Sequence, residues 1–331
     1  SLDILTSDGS GMKAHGRVAV RLLQNNFNVA ALRTLDVLRK EEWIAFDERV
    51  IEVARKRLVG INDLQSRGLT FNIANALGTT RVEWETVSDM DPANISMAGV
   101  TAGERDRVVF ALKNVPLPIV HKDFRINIRA LEASRKLGQT LDTTLVALAT
   151  RLVSEQLETI LFNGTTLVAD GGSIFGYTTA TNRNTGSLTG DWFLTAQTGE
   201  IILGDVLTMI DVAIGDNMHG PYGLYIPRSY FVKLLEDFKA NSDKSMISRI
   251  MEIPDLEFIR LSKDLSDGGT GEVLLVQMTS DVVDMIDGMQ PTLVEWETEG
   301  GMITNFKVMA IMIPRMKDDA ALQSGIVHYS V

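Results

Sequence analysis

The chain has 331 residues, 45% apolar and 23% charged, with a formal net charge of −11 and no cysteine. That composition describes an ordinary folded chain with a sizeable core, in one large domain or two smaller ones, and excludes a disordered or fibrous one. It also excludes disulfides, thiolate metal sites and any apolar run near the roughly 20 residues of a membrane span, while the acidic balance argues against free nucleic-acid binding.

Residues 1–12 are polar and rich in Gly and Ser, which predicts an extended or mobile arm. SLDILTSDGSGMKAHGR has no apolar core behind a positive charge, so it does not read as a secretory signal. Ser1 is expected from removal of an initiator Met or of a longer leader. Val18 to about Leu58 carries helical patterning, with Trp43, Phe46 and Val50 on one face and acids between them. Residues 11–68 hold eleven Lys and Arg against seven acids, a local balance of +4, which leaves −13 on residues 69–331. Lys13, Arg17, Arg21, Arg33, Arg39 and Lys40 make this a mildly basic segment on an acidic body, a candidate for contact with a polyanion. The plainer reading is a solvated helical face whose charges pair locally, as Glu52 and Lys56 would at i,i+4.

Leu69 to Ile73 reads as a short strand. Thr80 to Val87 and Arg107 to Ile119 are two further strands, and SDMDPANISMAGVTAGERD between them is rich in Gly, Ala, Ser and Asp. Such an extended hairpin has little core of its own and needs a surface to lie against. Glu83, Trp84, Glu85, Arg105, Asp106 and Arg107 are its candidate contact residues. Val82–Thr86 recurs as Val294–Thr298 (VEWET both times), which predicts two edge strands with charged outer faces rather than a duplicated unit.

Ile126 and Ile128 alternate with Asn127 and Arg129, the period-2 pattern of a half-buried strand. Leu137, Leu141, Leu145, Leu148, Leu152 and Leu157 then align one apolar face of a long helix, which Gly164 should cap in a left-handed conformation. Beyond it the texture shortens. Ile201–Ile214 is helical, Tyr222–Ile226 is a strand bounded by prolines and followed by the amphipathic Tyr230–Leu235, and Gly271–Val276 is a buried strand. Asn305–Pro314 and Ile326–Tyr329 close the chain.

The strand and long helix at 119–164, the Trp-containing segment ending at Val59-Gly60, and GPYGLYIPRSYFVKLL resemble the corresponding parts of encapsulins and tailed-phage major capsid proteins. The resemblance covers roughly Leu38 to Val331 and rests on element order. It implies an α+β fold of the Hong Kong 97 type, with an N-terminal arm and helix (1–40), a peripheral domain with a long spine helix (41–79, 120–164 and 289–331), an extended hairpin loop (80–119) and an axial domain (165–288). The function it implies is a self-assembling icosahedral shell subunit around double-stranded DNA, the major capsid protein of a bacteriophage. The partners are then its own copies in pentamers and hexamers, DNA held by non-specific contact, and scaffold, portal and decoration proteins, with no membrane. The place is the virion capsid, assembled in the host cytoplasm. The alternative of the same fold is an encapsulin nanocompartment enclosing an enzyme cargo; a soluble α+β enzyme is the alternative of another class.

Nothing nominates catalytic, cofactor-binding or metal residues. His15, His121, His219 and His328 are scattered, with no His-Glu-x-x-His, no phosphate-cradling Gly-rich loop and no G-x-S-x-G elbow. His121 and Asp123 share a strand face without a nucleophile, which predicts a structural pair. Met302, Met309, Met312 and Met316 read as core or interface filler.

Overall fold

The computed structural model describes residues 3–5, 11–13, 40–87, 110–129, 143–169, 171–239, 244–267, 269–299, 302–319 and 321–331. Its elements begin with β1 (Asp3–Leu5), β2 (Gly11–Lys13), α1 (Lys40–Arg57), α2 (Val59–Ser66), β3 (Thr70–Asn72), β4 (Arg81–Val87), β5 (Phe110–Pro116) and β6 (Val120–Asn127). Then come α3 (Thr144–Asn163), β7 (Thr165–Ala169), β8 (Gly172–Ile174), β9 (Asn184–Ser187), α4 (Gly199–Gly215) and β10 (Tyr222–Ile226). The last are α5 (Arg228–Leu234), α6 (Met246–Ile250), β11 (Leu256–Leu261), β12 (Glu272–Gln277), β13 (Val283–Thr298), β14 (Ile303–Met316) and β15 (Ile326–Ser330). Two compact units result: Ser1–Thr80, Leu117–Leu161 and Met285–Pro314, and then Arg81–Pro116, Phe162–Asp284 and Arg315–Val331.

In the first unit β1 and β2 pair antiparallel, which makes the described part of the expected arm a small ladder. Residues 14–39, with Arg17, Arg21, Arg33 and Arg39, lie outside the described residues; Lys13 ends β2 and Lys40 begins α1. On α1 the buried Phe46 and Val50 follow the predicted spacing. Glu52 bridges Lys56 and Arg49 at 2.6 Å each, and these hydrogen bonds, Lys56's first, hold its carboxyl below the usual range. A four-stranded sheet runs β3–β13–β14–β6, with β3 parallel to β13 and β6 antiparallel to β14. Phe306 on β14 stacks on Phe124 of β6 at 5.1 Å and meets Phe46 edge-on at 5.8 Å. Met309 and Met312 are core side chains there, while Met302 is exposed.

Two expectations need correction. Val146, Ala149, Val153, Leu157, Ile160 and Leu161 carry the buried face of α3, whereas Leu145, Leu148 and Leu152 are exposed. The helix has two apolar stripes, and the one through Val146, Val153 and Leu157 is the one that meets the core. Leu137 and Leu141 lie outside the described residues. The second VEWET sits on β13, an inner strand, and Glu295 is fully buried. A period-2 pattern assigns side chains to faces but does not say which face meets water.

The end of α3 matches expectation: Gly164 takes φ +70° directly after Asn163. A Cβ there would lie 2.6 Å from the Ile174 carbonyl oxygen, so glycine is required by both conformation and space. The second unit is built on a five-stranded sheet, β11–β10–β12–β15–β9. Tyr222, Leu224 and Ile226 of β10 pack into a cluster with Ile202, Val206 and Met209 of α4. Tyr225, pointing the other way, joins Phe162, Tyr177 and Phe258 at centroid distances of 5.1 to 6.0 Å. Both faces of the sheet are therefore covered, which explains why all five residues of β10 are buried. Asp205, buried on α4, accepts from Thr189 Oγ1 at 2.5 Å and Trp192 Nε1 at 2.8 Å.

Candidate functional site

The least self-sufficient element is the β4–β5 hairpin. Its strands pair antiparallel from Arg81–Pro116 to Val87–Phe110. Alternation sends Val82, Trp84 and Thr86, with their partners Val115, Lys113 and Ala111, to one face. Glu83, Glu85 and Val87, with Asn114, Leu112 and Phe110, take the other. On the first face exposure climbs outward, from 8% at Val82 and 3% at Val115 to exposed Ala111, while on the other Glu83, Glu85 and Val87 are all exposed and Phe110 reaches 63%. Leu112 is 64% exposed, so the outer part presents an apolar patch beside Glu85. Arg81 Nε lies 2.9 Å from Glu83 Oε1, an ion pair near the base of the hairpin.

The Trp84 face is held by its own chain. The Arg315 guanidinium lies 5.5 Å from the Trp84 ring, a cation–π contact. Arg315 donates from Nε to Asp284 Oδ1 at 2.8 Å and from Nη2 to Oδ2 at 2.5 Å, the parallel geometry that a guanidinium fits best. Lys317 Nζ reaches the same carboxylate at 2.7 Å and donates to the Ser280 carbonyl at 2.6 Å. Asp318 accepts from Lys113 through one oxygen and from the Asn182 side-chain amide through the other. On the opposite face, at the base of the hairpin, β8 lies against β5: a Cβ on Gly172 would fall 2.1 Å from Asn114 Oδ1 and 3.0 Å from Pro116 Cδ.

Glu83, Trp84 and Glu85 thus share one strand, with Trp84 on the held face and both glutamates on the open one. Arg105, Asp106 and Arg107 lie outside the described residues. Sequence reading missed Asp284, Arg315, Lys317 and Asp318. Their signal was the charged run Arg315-Met316-Lys317-Asp318-Asp319 directly after an apolar strand. In the first unit His121 Nδ1 sits 3.3 Å from Asp123 Oδ1, and Lys307 lies 3.6 Å from the same carboxylate. The three side chains lie at the surface of β6 and β14, and no nucleophile accompanies them among the described residues.

A family model described as "Family of unknown function (DUF6260)" matches residues 30–329. The chain belongs to this family. Over 157 residues the DUF6260 chain is 32% identical to the type 1 encapsulin shell protein EncA of Myxococcus xanthus, covering 47% of the chain and 50% of that protein. It is 27% identical over 198 residues to a diheme-cytochrome-encapsulin shell fusion protein of Kuenenia stuttgartiensis, with 58% and 49% covered. The chain spans about half the length of the curated relatives it matches. Among solved structures, the virus-like particle from Pyrococcus furiosus is similar at a TM-score of 0.58 and 18% identity, over 88% of this chain and 98% of that one. The capsid of Myoviridae phage XM1 is similar at 0.60 and 10%, over 76% and 86%. Identities this low speak for fold alone. The fold of this DUF6260 chain is the α+β Hong Kong 97-type capsid fold.

Proposed function

We propose that this chain is a shell subunit that assembles with its own copies into a closed icosahedral particle, and that the particle is the capsid of a tailed double-stranded DNA phage. The observation that carries the reading is the hairpin: a two-stranded arm with an apolar outer patch at Val87, Phe110 and Leu112, on a fold shared with capsids and virus-like particles. A patch of this kind is covered most economically by a neighbouring subunit, with Glu83 and Glu85 at its margin. The role is structural rather than enzymatic. The energy comes from many modest interfaces closed by symmetry, so that avidity replaces any single tight contact. On this reading Lys13 and Lys40, with the basic residues between them in sequence, are the candidates for non-specific contact with the enclosed DNA; pentamers and hexamers, scaffold, portal and decoration proteins complete the assembly in the host cytoplasm.

One observation favours a second reading. Both curated relatives that the chain matches in sequence are encapsulin shell proteins, one of them 32% identical over 157 residues. On that reading the shell is a nanocompartment enclosing an enzyme. The test is electron microscopy of the full chain expressed alone, with absorbance at 260 and 280 nm and mass spectrometry of particle contents. Closed particles are expected; nucleic acid inside favours the phage reading and a co-purifying enzyme the compartment. A stable monomer would overturn both.

A further inference from the structure

We propose that residues 315–318 form a latch that grips the hairpin at one rung and sets the direction in which its outer half projects. Trp84 and Lys113 are direct cross-strand partners. Arg315 covers the indole of the first, and Asp318 holds the ammonium of the second. A single four-residue stretch therefore contacts both strands at the same height. On the gripped face Val82 and Val115, below that rung, are buried, whereas above it Thr86 is half-buried and Ala111 exposed. The rung is the boundary between the part of the hairpin that belongs to the body and the part that reaches outward.

The chemistry of the grip suits positioning better than bulk stability. Asp284 and Arg315 are 5% and 7% exposed, and the Asp318 side chain is 11% exposed. Desolvation offsets much of the Coulomb gain of such buried pairs, while their directional hydrogen bonds fix geometry. Lys317 adds a second cation to Asp284, so both carboxylate oxygens are engaged and the guanidinium is held 5.5 Å from the Trp84 ring centre. Asp318 is likewise tied by Asn182, which fixes its position independently of the hairpin. The latch is thus preassembled on the body, and the hairpin docks into it. The consequence for shells, that hairpin direction governs how subunits overlap, rests on the proposed shell function; the latch itself does not.

Hydrogen exchange by mass spectrometry on the full chain tests it, comparing wild type with Lys113→Gln, Arg315→Lys and the double variant. Gln removes the charge at a half-exposed site; Lys keeps a cation for Asp284 but loses the planar face over the indole. Amides of 82–87 and 110–115 should exchange roughly tenfold faster in either single variant, with little further gain in the double. Exchange in β10 and β12 should stay at the wild-type rate, which separates latch opening from general loosening. Unchanged hairpin exchange in both single variants, or an equal rise in β10 and β12, would overturn the latch. Failure of the wild type to form shells would count against the shell reading and leave the exchange result to decide the latch.

Discussion

His328 on β15 sits between a cation and an anion. Its Nδ1 accepts from Arg183 Nε at 3.3 Å, and its Nε2 faces Glu272 Oε1 at 3.8 Å. That arrangement fits the neutral imidazole carrying its proton on Nε2, because a proton on Nδ1 would confront the guanidinium. Burial is the main cause that pushes its pKa below the ordinary value, Arg183 pushes the same way, and Glu272 opposes them. A histidine with a lowered folded-state pKa binds its proton more readily when unfolded. The stability it leaves intact is therefore complete above the unfolded-state value of about 6.5 and is lost as pH falls from there through the folded-state value. We expect the urea midpoint of the wild type to drop between about pH 7.5 and about pH 5.5, ahead of most carboxylate titration. His328→Gln should flatten that part of the profile. An identical drop in the variant would place the acid sensitivity elsewhere.

At the scale of elements, α3 separates two kinds of leucine. Leu157 is fully buried, while Leu148 is 42% exposed on the opposite stripe. Leu157→Ala should destabilise dissociated subunits by about 3 kcal/mol, through lost burial and the cavity left behind. Leu148→Ser should stay within about 0.5 kcal/mol. Urea unfolding followed by circular dichroism reads both, and similar losses would mean that the Leu145–Leu148–Leu152 stripe is already covered within the subunit. The same helix shows what sequence makes legible. Its end at Gly164 was readable because a left-handed cap is a local demand on one residue. The hairpin was readable because alternation and a Gly- and Ala-rich tip are local too, as was β10 between its prolines. The core face of α3 was not, since two apolar stripes compete and only tertiary packing chooses. Nor was the 315–318 grip: Lys113 and Asp318 lie 205 residues apart, and a charge in a sequence does not name its partner.

For the whole molecule, the proposed shell function predicts that the hairpin tip is needed for assembly but not for folding. Residues 89–104 lie between β4 and β5, beyond the Val87–Phe110 rung that closes the described ladder. Removing them leaves the Trp84–Lys113 rung, the Arg315–Asp284 pair and both cores in place. Shortening a connection costs little chain entropy, because loop closure depends only weakly on length. The deleted subunit should therefore unfold at a urea midpoint close to that of the wild type. Assembly is another matter. On the proposed function, a shell carrying −11 per subunit would have to overcome repulsion between like-charged copies through the sum of many contacts, each present once per subunit. Losing one recurrent contact is then multiplied over the particle, and small oligomers should replace shells in size-exclusion chromatography and electron microscopy. Intact, stable shells from the 89–104 deletion would refute the role assigned to the tip, and would move the assembly contacts to the exposed leucines of α3 or to the Phe110–Leu112 patch that the deletion spares.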